Sequence, residues 1–159
     1  MTAPLPTEPA LTGAYGVAPP GYRLPKAAHV GTVRLQVANL SRSLEWYTTV
    51  LGFAVLETRS GHAALGAAGS ASPLVELAEH PGALPPPRRG RLGLFHYAIL
   101  LPDRAALGRF LARQIELGTP LGASDHLVSE ALYLSDPDGL GIEVYRDRPR
   151  SEWQRHGNE

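Results

Sequence analysis

Val33, Leu35 and Val37 alternate with Thr32, Arg34 and Gln36, the two-residue period of a strand with one buried face. From Leu40 the period lengthens. Leu40, Leu44, Tyr47, Val50 and Leu51 recur at three- and four-residue intervals, which predicts a helix. Asn39 stands at the N-cap position, where its side chain can accept from free backbone N–H groups. Gly52 stands where a helix commonly ends on a left-handed residue. Three short strands are predicted next, over 53–59, 62–66 and 74–78, with Ser60-Gly61 as a tight hairpin between the first two.

The same order then returns. Phe95 to Leu101 reads as a strand and Asp103 as an N-cap. Leu107, Phe110, Leu111 and Ile115 form the apolar stripe of a second helix, which Gly118 stops. A weak strand follows near Leu121, then strands over 131–135 and 141–145. Asp136-Pro137-Asp138-Gly139 joins the last pair, with the proline and glycine that a type I turn favours. Asn39 answers to Asp103 and Gly52 to Gly118 at nearly the same offset. So long a period marks a duplicated supersecondary unit, here βαβββ. One such sheet cannot cover its own concave face. The expected fold is therefore α+β: two βαβββ modules forming a curved, barrel-like mixed sheet around a central cavity, with the helices outside.

A chain of 159 residues fits one domain. Residues 1–28, rich in proline, glycine and alanine, read as an extended arm. The domain spans 29–147, as module one (29–79), a linker (80–92) around HPGALPPPRRG, and module two (93–147). Residues 148–159 form a polar tail. There is no cysteine, which excludes disulfides, thiolate metal sites and cysteine nucleophiles. Fifteen basic and fifteen acidic residues balance, and no long basic run suggests nucleic acid. Neither a signal sequence nor an apolar membrane span is apparent, so a cytoplasmic protein is expected.

Candidate chemistry follows from strand alternation. If Ile142 and Val144 pack beneath the helices, Glu143 points the other way, into the cavity. Its counterpart in the first half, at close to the same offset, is Glu76, and the counterpart of His96 is Thr32. Carboxylates in an apolar hollow are costly unless paired or bound to a cation. His96, Glu143 and Glu76 would give one imidazole and two carboxylates, a set suited to Fe(II), Mn(II) or Zn(II). The plainer alternatives are a hydrogen-bonded strand histidine and two solvent-facing glutamates. His126 precedes the strand of Tyr133, in a loop placed to close over a cavity mouth. It is either a proton shuttle or a solvated loop residue. Tyr133 either hydrogen-bonds a bound anion or fills core space. His29 stays a ligand candidate by its nearness to the first strand, whereas His62, His80 and His156 read as surface residues.

The segment GTVRLQVANLSRSLEWYTTVLGF resembles the opening of vicinal oxygen chelate proteins, the superfamily of glyoxalases, bleomycin resistance proteins and extradiol dioxygenases. GLFHYAILLPDRAAL, SDHLVSEALYLSDPDGLGIEVYRDRPRSEWQR and ELAEHPGA are most similar to the N-terminal half of the bacterial catechol 2,3-dioxygenase-like branch. The resemblance covers roughly residues 29–155. It implies a metal-dependent oxidoreductase that opens a catechol-type ring with dioxygen, using Fe(II) held by two histidines and a glutamate. By position His96 would be one histidine and Glu143 the glutamate, with His126 and Tyr133 as acid–base and hydrogen-bonding groups. Thr32 stands where the other histidine is expected, so the set departs from the pattern there. Members of this branch often carry a second βαβββ pair after the PRSxWQR segment. This chain would then be a stand-alone half, a truncated product, or a subunit that restores the pair by forming a homodimer. Two alternatives share the fold: a glyoxalase-type metal-dependent isomerase or thiol transferase that uses Glu76, and a metal-free protein that binds small molecules such as drugs.

Overall fold

The computed structural model describes residues 21, 24, 25, 27–84 and 93–153. Most of the expected arm, much of the linker and the end of the tail lie outside the described residues. The element order is β1 (Val33–Val37), α1 (Leu40–Thr49), β2 (Ala54–Arg59), β3 (His62–Gly66), β4 (Val75–Glu79), β5 (His96–Leu100), α2 (Arg104–Leu117), β6 (Gly122–Asp125), β7 (Ser129–Ser135) and β8 (Gly141–Asp147), followed by a single 3-10 turn over Arg150–Glu152. The βαβββ unit therefore occurs twice. Each unit forms a four-stranded mixed sheet, ordered β1-β4-β3-β2 and β5-β8-β7-β6. The first strand lies parallel to the last, and the hairpin pairs are antiparallel. No ladder joins the two sheets among the described residues, so they are two curved sheets rather than one closed barrel.

Capping follows the sequence. The Asn39 side chain accepts from Arg42 N and that of Asp103 from Ala106 N, each satisfying a donor that the helix cannot. Gly118, at φ 64°, ends α2, and its N–H bonds back to Gln114 and Ile115. Inside, Leu35 and Val37 of β1, Leu65 of β3 and Val75 and Leu77 of β4 form one core with Tyr47, Tyr97, Leu107, Leu132, Leu134, Ile142 and Val144. The α2 stripe differs from the expected one. Ile115 is 70% exposed, and Gln114 takes the buried place beside Leu107. Burying an amide is acceptable only where it finds a partner. Gln114 Nε2 donates to Val50 O at 2.9 Å, satisfying a carbonyl at the C-terminus of α1.

The modules are also joined through the turn between β7 and β8. Gly139 N bonds to Asp136 O at 2.9 Å, the i to i+3 bond expected of Asp-Pro-Asp-Gly. Asp136 is buried. Its Oδ1 accepts from Asp138 N and Leu140 N, and its Oδ2 accepts from the Tyr47 hydroxyl of α1 at 3.1 Å. Asp138 accepts from Ala38 N at 2.9 Å and pairs with Arg42. Module two thus grips the first helix with two carboxylates, at its start through Asp138 and near its end through Asp136.

Burial pushes the Asp136 carboxyl above its usual range, and the three donors pull it down less strongly. A carboxyl raised in the folded state favours folding fully below its unfolded value of ~3.9, and that contribution is lost as pH rises through the folded value. An asparagine at this position would keep the Oδ1 acceptor without the buried charge. In urea titrations, Asp136→Asn should therefore compare more favourably with the wild type at pH 7 than at pH 4. Asp136→Ala, which strands Tyr47 and two amides, should cost about 1–3 kcal/mol.

Candidate functional site

Ile142 and Val144 are fully buried against the helix side of the second sheet. Alternation then turns Glu143 and Tyr145 to the opposite face. In the parallel β5–β8 ladder Glu143 faces Ala98, and His96 faces Gly141 one step along. The imidazole leans across that step, and His96 Nε2 lies 3.1 Å from Glu143 Oε2. On the other side of β8, Tyr133 of β7 is the direct partner of Glu143. Burial pushes the Tyr133 phenol above its usual range, and the neighbouring Glu143 carboxylate adds to the shift. Tyr133 OH also shares a 2.8 Å hydrogen bond with His126 Nε2. The order His96, Glu143, Tyr133, His126 is thus a continuous line of polar groups on one face of one sheet. The rings of His96 and His126 both stand edge-on to Tyr133.

The turn that carries His126 is shaped by its neighbours. His126 N bonds to Ser129 O at 2.9 Å. Leu127 has φ 68°, in the left-handed region that a branched side chain seldom adopts. Asp125 helps to hold it there. Its Oδ1 accepts from Leu127 N at 2.8 Å, and both carboxylate oxygens are gripped by Arg148, at 2.5 and 2.7 Å. Arg148 also bonds Glu130 at 3.0 Å, and Glu130 in turn pairs with Arg146 at 2.8 Å and Arg104 at 3.0 Å.

Glu76 does not join His96 and Glu143. It lies in the first sheet opposite Arg34, and the Arg34 guanidinium meets its carboxylate at 2.9 Å. Arg34 is the counterpart of Ala98, at the offset that relates Thr32 to His96. Module one thus answers its carboxylate with a built-in cation, whereas Glu143 meets an imidazole. The Thr32 hydroxyl donates to Pro73 O at 3.0 Å, and the His29 ring bonds the Ala27 carbonyl beside it. A cleft of about 540 Å³ lies on the first sheet. It is walled by Arg34, Gln36, Glu57, Arg59, His62 and Glu76 over Ala64 and Ala78.

Among the described residues no three histidine, aspartate or glutamate side chains cluster closely enough to hold a metal together. The His96–Glu143 pair does fit two adjacent positions around one ion. Ligand atoms about 2.1 Å from a metal and at right angles to each other stand roughly 3.0 Å apart. A metal held there would need water or substrate at its remaining positions. Sequence reasoning did not find Arg34, Arg148 or Leu127. Of these only Arg34 left a trace, since it sits two residues after Thr32 on the same face as Glu76.

With the geometry described, comparison with known proteins defines the class. Residues 26–144 match the family model described as the Glyoxalase/Bleomycin resistance protein/Dioxygenase superfamily, and the chain belongs to that superfamily. It is 54% identical over 127 residues to a protein named catechol-2,3-dioxygenase from Bacillus subtilis (strain 168), covering 80% of this chain and 44% of that protein. The chain thus spans less than half the length of this relative. Among solved structures, a glyoxylase/bleomycin resistance protein/dioxygenase domain from Frankia sp. superposes with a TM-score of 0.64 at 24% identity, covering 76% of this chain and 98% of that one. A glyoxalase/dioxygenase from Nostoc punctiforme gives 0.64 at 20% identity, covering 81% and 98%. These two likenesses concern the fold alone.

Asp125 tests the turn. The hydrogen bonds from Arg148, then that from Leu127 N–H, hold its carboxyl down at about 2. The contribution of a depressed carboxyl to stability is present above its unfolded value and is lost as pH falls through the folded one. Carbon-detected NMR titration should place the Asp125 midpoint at about 2 in the wild type. In Arg148→Gln it should move up toward ~3.9.

Proposed function

We propose that this chain is a metal-dependent oxidoreductase module of the extradiol dioxygenase type, acting with dioxygen on a catechol-like aromatic diol. The observation that carries the reading is the 3.1 Å approach of His96 Nε2 to Glu143 Oε2, with Tyr133 and His126 extending the same line. The 54% identity to the Bacillus protein supports the same class of chemistry.

His96 and Glu143 would hold the metal, Fe(II) by preference and Mn(II) or Zn(II) as substitutes, since imidazole and carboxylate suit these ions. Such an ion supplies Lewis acidity and a binding place for adjacent diol oxygens and dioxygen. The chain's own part is proton handling and orientation. The Tyr133 phenol, raised above its usual range, stays protonated at neutral pH and can donate to a substrate oxygen. His126 Nε2, on the far side of that phenol, can accept a proton passed through it or return one, on an exposed turn open to solvent exchange.

A glyoxalase-type reading would need Glu76 in the same ligand set. The Arg34 ion pair, which occupies the Glu76 carboxylate, disfavours it.

The chain should bind close to one equivalent of Fe(II) in anaerobic equilibrium dialysis. His96→Ala and Glu143→Ala should each weaken binding by more than ~100-fold, beyond the cost of losing a supporting contact. Glu76→Ala should leave it unchanged. Less than a tenth of an equivalent bound after reconstitution would rule the reading out. A requirement for Glu76 would turn it toward the glyoxalase type.

A further inference from the structure

We propose, building on the metal-site reading above, that Gly141 is a positioning residue for His96: the missing side chain lets the strands approach closely enough for His96 Cβ to sit where its imidazole reaches Glu143. His96 and Gly141 are direct partners in the parallel ladder. A Cβ placed on Gly141 would stand 3.0 Å from His96 Cβ, 3.0 Å from Phe95 O and 3.7 Å from His96 Cα. Facing Cβ atoms on neighbouring strands ordinarily keep about 4.5–5.5 Å apart. The obstacles are a backbone carbonyl and the first carbon of a side chain, and neither can swing aside.

The usual reasons for a glycine are missing here. Gly141 is not among the residues with positive φ, so no turn geometry demands it. Within a strand, glycine is otherwise unfavourable, because it loses more freedom and packs nothing. The duplicated module supplies an internal comparison. The counterparts of His96 and Gly141 are Thr32 and Leu74, the latter just ahead of β4 as Gly141 opens β8. There β1 and β4 also run parallel, and Val33 N bonds to Leu74 O at 3.0 Å. Where no imidazole must be seated, a full-sized side chain occupies the glycine position. Turning the imidazole would not relieve an added methyl at 141, because the atoms it meets are His96 Cβ and the Phe95 carbonyl; the strands must part at this step, and that movement carries Nε2 away from the Glu143 carboxylate.

The test compares Gly141→Ala with Gly122→Ala in the full chain. Gly122 lies opposite Tyr133 in the same sheet, and a Cβ there would meet Tyr133 Cβ at an ordinary 4.0 Å. Long-range proton–nitrogen NMR spectra of the metal-free protein report each imidazole, with assignments from His96→Gln and His126→Gln. Gly141→Ala should shift the His96 ring signals and leave those of His126 in place, while Gly122→Ala shifts neither. Titration with Co(II) should show a Kd at least tenfold higher for Gly141→Ala and unchanged for Gly122→Ala. Unmoved His96 signals in a folded Gly141→Ala protein would overturn the proposal without reference to any metal. A wild type that fails to bind Co(II), alongside a His96 ring that does shift, would overturn the metal reading and leave the positioning role standing. Should Gly141→Ala not fold, the double variant His96→Gly/Gly141→Ala removes the Cβ that the new atom strikes. Recovered folding would support the proposal, and continued unfolding would overturn it by tracing the requirement to the Phe95 carbonyl.

Discussion

The burial of Ile142 and Val144 is the constraint from which the site follows. Both side chains are shut away from solvent beneath the second helix, and each contributes on the order of 1.5–3 kcal/mol by leaving water. A strand cannot turn Glu143 to that side without exposing both neighbours, because a one-residue slip moves every side chain to the other face. The carboxylate is therefore delivered to the open face by hydrophobic packing. The parallel partner β5 and the antiparallel partner β7 then bring His96 and Tyr133 to it from either side.

Duplication makes the divergence of the two modules readable at single positions. Both present a glutamate at the same place in the last strand. In module one Arg34 faces it and an ion pair results. That pair is largely exposed and contributes little to stability, but it occupies the carboxylate. In module two Ala98 stands in place of the arginine, so the carboxylate is left for the imidazole one ladder step away. The same fold unit has thus become a charge-neutral wall in one copy and a line of hydrogen-bonding groups in the other.

Much of the architecture was legible in the residues. Asn39, Asp103 and Gly118 marked helix ends because their chemistry acts locally. The strand periods and the Asp-Pro-Asp-Gly turn were equally local signals. The facing of His96 and Glu143 was also readable, because alternation and the repeat fix it without knowledge of distance. What sequence could not supply was the contact between distant segments. Gln114, which the apolar stripe of the second helix leaves out, is buried with Val50 O as its partner. Glu76 looked like a ligand until Arg34 was found across the ladder. The α+β layout of two βαβββ modules was legible too, though not that the two sheets share no ladder among the described residues. The left-handed Leu127 left no trace, since nothing in Asp-His-Leu-Val announces a positive φ.

The one-sided grip of the Asp136–Gly139 turn on the first helix has an evolutionary corollary. Asp136 and Asp138 lie in the turn between β7 and β8 while fastening Tyr47, Ala38 and Arg42 of the other module. A residue inserted in this turn would both slip the ladder that seats Glu143 opposite Tyr133 and release the first helix. Length changes in that short connection should therefore be purged by selection, while the cleft-bearing face of module one, bound by no such double duty, is free to drift toward new ligands.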